Sequence, residues 1–127
     1  MPPPSFDGLP LADYLAPEPV LPLLSSRGCY WTRCAFCSHY HLFRRRFRMK
    51  PVEQLLEEMD GLARRHQASV FYLTDECIPP RIARRLAGEV RRRGLPYRWF
   101  GEFRFERCLD DEMLGELKRV NETLHLM

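Results

Sequence analysis

The stretch Ser26-Arg27-Gly28-Cys29-Tyr30-Trp31-Thr32-Arg33-Cys34-Ala35-Phe36-Cys37-Ser38-His39 decides how this chain is read. Three thiolates on one short loop can hold a metal centre. A closed structural zinc site takes four ligands. A thiolate-held iron cluster with one iron left free of protein is instead open to a substrate or cofactor. The competing reading is a small zinc module, with His39 or His41 completing a Cys3His set. A zinc ribbon pairs two knuckles, and no second cysteine pair is present: Cys77 and Cys108 stand alone. The spacing therefore favours iron–sulfur over zinc. Lone cysteines such as these two are usually small core residues.

Working outward, Val20-Leu21-Pro22-Leu23-Leu24 reads as a short buried strand, and Pro22 marks it as an edge strand or a strand start. After the cysteines, Pro51 opens a helix. Val52, Leu55, Leu56, Met59, Leu62 and Ala63 share its apolar face. Residues 69–74 form the second strand, rich in β-branched and aromatic side chains. A helix over 81–93 follows, stopped by Gly94 and Pro96. Residues 97–105 are the third strand, and Asp110 caps a last helix carrying Met113, Leu114 and Leu117. Strands alternating with helices imply an α/β fold with parallel strands. Such sheets bind ligands at the carboxyl ends of their strands. The cysteine loop, Asp75-Glu76 and the end of the third strand all fall on that edge. Residues 1–19, rich in proline, read as an extended lead-in, and 20–127 as the β/α domain.

The chain has 127 residues, 45% hydrophobic and 29% charged, which suits one small globular domain. Its net charge of +3 is too weak to argue for nucleic acid. Five cysteines, three of them bunched, fit a reducing compartment with a metal site better than a disulfide framework. No apolar run is long enough to cross a bilayer and the N-terminus lacks signal-peptide features, so a cytoplasmic protein without a membrane partner is expected. Residues 44–50 are basic, with arginines on both sides of Phe47. That run reads as a solvated face rather than a nucleic-acid contact.

The run Gly28 to Cys37 resembles the cluster loop of radical S-adenosylmethionine enzymes. That superfamily typically places three residues between its first two cysteines, and this chain has four. The longer spacing, with Tyr30-Trp31, resembles the subgroup that carries a cobalamin-binding domain and often matures ribosomal peptides. Phe6-Asp7-Gly8-Leu9-Pro10-Leu11 and Phe71-Tyr72-Leu73-Thr74-Asp75-Glu76 are also similar to segments of that family. The resemblance implies a 4Fe-4S cluster on Cys29, Cys34 and Cys37. S-adenosyl-L-methionine would sit on the open iron and be cleaved to a 5′-deoxyadenosyl radical. That radical would abstract hydrogen from a peptide or small-molecule substrate, with an electron donor as partner. Cobalamin is admitted as a further cofactor, although no counterpart of its domain is seen in the sequence.

By the same resemblance, Phe36 packs near the adenine, the alternative being plain core packing. Asp75 and Glu76 occupy the place that contacts the methionine amino group, against the alternative of helix capping. Period two in the third strand puts Phe100, Glu102 and Arg104 on one face. There Arg104 is a candidate for the cofactor carboxylate and Glu102 for its ribose hydroxyls, the plain alternative being an exposed ion pair. The family's domain is a partial barrel of six strand–helix units, and three strands are counted here. The expectation is a truncated partial (β/α) barrel with an exposed sheet edge, from a fragment, a split enzyme with a complementing chain, or a small remnant.

Overall fold

A computed structural model describes residues 2–43, 46–120 and 125–126. In chain order the elements are β1 (Val20–Leu23), β2 (Ser26–Arg27), α1 (His39–Leu42), β3 (Arg48–Met49), α2 (Val52–His66) and β4 (Val70–Leu73). Then come α3 (Pro80–Arg92), β5 (Arg98–Phe103), α4 (Asp111–Lys118) and β6 (His125–Leu126). The main sheet has the order β1-β4-β5-β6, parallel throughout, and β2 pairs with β3 in a separate antiparallel ribbon. Each crossover adds its strand on the same side of the one before. This is the arrangement of a partial β/α barrel, and it does not close.

The register explains which face is buried. Leu21, Phe71 and Trp99 lie side by side, as do Leu23, Leu73 and Gly101. All these positions are buried and, with Phe103, face the apolar stripes of α2, α3 and α4. Burying large side chains such as Trp99, Phe71 and Phe103 contributes about 1.5–3 kcal/mol each. The opposite face carries Pro22, Tyr72, Phe100 and Glu102, none of them fully buried. Tyr72 and Phe100 stack there, 4.8 Å between ring centres and 11° from parallel.

Helix ends follow local chemistry. Asp110 accepts the Met113 amide at 2.9 Å, as a capping aspartate should. Gly94, at φ +61, ends α3, with bonds from the Gly94 amide to the Arg91 carbonyl and from the Leu95 amide to the Val90 carbonyl. β5 stops two residues short of the expected end, and Arg104, just past it, lies against Trp31 of the cysteine loop. Pro22 lies on an edge strand, where its missing amide costs no ladder bond.

The structure adds four features to the sequence reading. The lead-in is packed onto the domain: Phe6 is buried against the His66 ring edge, Asp7 pairs with Arg65, and Leu11–Asp13 form a short 3-10 turn. The β2–β3 ribbon and α1 were not anticipated, being too short to show periodicity. A fourth strand, β6, pairs with β5. In the basic run, Arg44 and Arg45 lie outside the described residues, and Lys50 is not solvated. It is 6% exposed and its ammonium is bonded to Glu58, a partner equally withdrawn from water. Among the described residues no helix is long and apolar enough to cross a membrane.

Candidate functional site

The cysteine loop hangs from the carboxyl edge of the sheet. Its near end is tied by Asp75, which is 3% exposed. Asp75 accepts the Ser25 amide at 3.0 Å, the Ser25 hydroxyl at 2.9 Å and the Ser26 hydroxyl. Both carboxylate oxygens are therefore spent on the strand that leads into the loop. Helix α3 begins behind Pro79 without any side-chain cap, so Asp75 does not serve as one.

Next comes Gly28, at φ +81. A Cβ there would lie 2.5 Å from the Arg46 carbonyl oxygen, so only glycine fits between the loop and the chain leading to β3. Beyond it, Cys29, Cys34 and Cys37 are free thiols, each half-buried. The Cys37 amide bonds to the Cys34 carbonyl at 3.3 Å, and the His39 amide approaches the Cys37 sulfur at 3.4 Å. Thr32 adopts the left-handed conformation at φ 52, rare for a β-branched residue. Among the described residues no three histidine, cysteine or acidic side chains are gathered closely enough to hold a metal ion. The donor set suits an iron–sulfur cluster in type and in its place on one loop. Its convergence is what binding a metal would supply.

Phe36 is 93% exposed, so core packing is excluded and its ring is free to meet a ligand. Glu76 points back to the loop: His39 Nε2 stands 2.7 Å from Glu76 Oε1, and the Glu76 side chain remains 43% exposed. The following loop folds over β5. The Ile78 amide bonds to the Glu102 carbonyl at 2.9 Å, and the absence of a side chain at Gly101 makes room for Ile78. Glu102 lies beside the Tyr72 hydroxyl at 3.4 Å, on the sheet face away from the helices. Burial and the nearby Glu102 carboxylate push the Tyr72 phenol up.

Arg104 does not point out as an exposed half of a surface pair. Its guanidinium lies 3.5 Å from the centre of the Trp31 ring and 2.9 Å from Glu106 Oε1. The Tyr30 hydroxyl donates to that same Glu106 oxygen. The Tyr30 bond, joined by the charge of Arg104, holds the Glu106 carboxyl below its ordinary range. Burial, with Glu106 as acceptor, pushes the Tyr30 phenol well up. Cys77, 4% exposed, sits 3.6 Å from the Tyr30 hydroxyl, and burial raises its thiol pKa. Cys108 is exposed. Sequence reasoning singled out Arg104 but missed Tyr30, Trp31 and Glu106 as its neighbours. The only signal was an aromatic pair directly after the first loop cysteine.

Over 105 residues, the chain is 31% identical to the anaerobic magnesium-protoporphyrin IX monomethyl ester cyclase of Rubrivivax gelatinosus. The match covers 80% of this chain and 18% of that enzyme. It supports the radical S-adenosylmethionine family at the coarse level and does not reach a cobalamin subgroup. No family model matches the chain. No solved structure matches it either.

Proposed function

We propose that this chain binds a 4Fe-4S cluster through Cys29, Cys34 and Cys37 and presents S-adenosyl-L-methionine at the carboxyl edge of its sheet. The observation that carries the reading is the placement of three free, half-buried thiols on one loop at that edge of a sequentially ordered parallel sheet. The similarity to the cyclase supports it independently. When bound, the cluster would supply one electron to the sulfonium of the cofactor, giving a carbon radical able to abstract hydrogen.

This chain's own residues divide the remaining tasks. Glu76 offers a half-exposed carboxylate to the methionine ammonium, with His39 Nε2 2.7 Å away on the loop side. Phe36 offers an exposed ring to the adenine. Glu102 lies on the open sheet face, where ribose hydroxyls can reach it. Asp75 acts differently: it positions the loop through Ser25 and Ser26 rather than meeting the cofactor. Arg104 is likewise engaged with Trp31 and Glu106, so its role is to hold the loop. The substrate is a peptide or a small molecule, and the reaction needs a one-electron donor. Cobalamin, a complementing chain and a cytoplasmic setting belong to this proposal.

The test is metal content. After anaerobic reconstitution with iron and sulfide, about four irons and matching acid-labile sulfide per chain are expected, lost in Cys34→Ser. A colourless protein that keeps one zinc would contradict the reading and favour the Cys3His module.

A further inference from the structure

The two halves of the cysteine loop are held very differently. Before Cys29, Gly28 is locked against the Arg46 backbone and Ser26 is bonded to buried Asp75. After it, Tyr30 donates to Glu106, and the flat guanidinium of Arg104 lies on Trp31 while pairing with that same carboxylate. Arg33 approaches the Trp31 ring at 5.3 Å. Among the described residues, the half from Cys34 to Cys37 is closed by local contacts: the Cys37 amide bonds to the Cys34 carbonyl and the His39 amide approaches the Cys37 sulfur, with His39 beside Glu76 just beyond. Phe36 at its tip is 93% exposed.

We propose that Tyr30, Trp31, Arg104 and Glu106 form a clasp that fixes Cys29 before any metal arrives, leaving Cys34 and Cys37 as the arm that closes onto the metal. The physical ground is cooperative. Arg104 satisfies a cation–π contact and a charge-assisted bond at once. Glu106 shares one oxygen between a phenol and a guanidinium. Each contact restricts the partners of the next, so the network holds the backbone at 30–31 more firmly than any single pair would. All four are positioning residues. The significance of the clasp for cluster loading rests on the reading of the loop as an iron–sulfur site, but the clasp itself is a property of the metal-free chain.

The experiment measures the alkylation rate of each loop cysteine in the metal-free protein, using iodoacetamide and peptide mass spectrometry. Trp31→Leu and Glu106→Ala should each raise the Cys29 rate about fivefold, the size expected from losing one such contact, with Cys34 and Cys37 unchanged. Trp31→Phe, which keeps an aromatic face, should restore most of the protection. Arg104→Lys, the mildest change, keeps the charge but loses the flat contact and should give an intermediate rate; it decides the matter if the larger changes unfold the protein. A Cys29 rate that does not move relative to Cys34 in any of these variants overturns the clasp. Protection of Cys29 that depends on the clasp, in a chain that never takes up iron and sulfide, would leave the clasp standing and remove the radical-enzyme reading. A cluster that forms while Cys29 ignores the substitutions would do the reverse.

Discussion

Asp75 and Ser25, fifty positions apart in sequence, are joined by two hydrogen bonds, from the Ser25 amide at 3.0 Å and its hydroxyl at 2.9 Å. The link fastens the end of β1 to the end of β4 at the point where the cysteine loop begins. It makes the site's geometry depend on a buried carboxylate that touches no thiol.

Replacing that carboxylate should therefore be costly. Asp75→Ala leaves the Ser25 amide and two hydroxyls unsatisfied and should lower stability by about 3 kcal/mol in urea denaturation. Asp75→Asn retains an acceptor oxygen and should cost about half as much. An alanine variant as stable as the parent would mean that the strand ends hold together without this link.

The Lys50–Glu58 pair, with side chains 5% and 7% exposed, behaves as a buried ion pair. Lys50→Met alone strands the Glu58 charge and should destabilise the fold by about 3–5 kcal/mol. Lys50→Met combined with Glu58→Leu should recover most of that loss, since desolvation is relieved on both sides. A double variant no better than the single one would argue that the pair fixes the start of α2 through its geometry.

High pH should weaken the fold through Tyr97. Burial, with Asp60 as hydrogen-bond partner, pushes its phenol from 10.0 up to about 12. A raised folded-state value means that the contribution is fully present below pH 10, the unfolded value, and is lost as pH climbs towards 12. Stability measured across that interval should fall more steeply in the parent than in Tyr97→Phe. Equal slopes would show that Tyr97 titrates normally.

The main elements were legible because their signals are local and repetitive. The stripe from Val52 to Leu62 on α2, the alternation through Trp99, Gly101 and Phe103, and the Asp110 cap all encode their own structure. The ribbon joining Ser26 to Met49 carries no such signal, since two residues per strand show no period. The cysteine loop was legible as chemistry, but its supports were not. Asp75 reads equally well as a ligand, a cap or a buried brace until Ser25 is seen beside it. Arg104 and Glu106 are ordinary charges in sequence and become a clasp only because β5 ends beneath Trp31. Phe36 shows the converse, an apolar residue that packing leaves in the open.

The central claim is tested most directly by electron paramagnetic resonance on anaerobically reconstituted, reduced protein, with and without S-adenosyl-L-methionine. The account predicts a reduced-cluster signal that shifts when the cofactor is added, because one iron is left open by a three-cysteine set. A cluster signal indifferent to the cofactor, or no cluster at all, would contradict it.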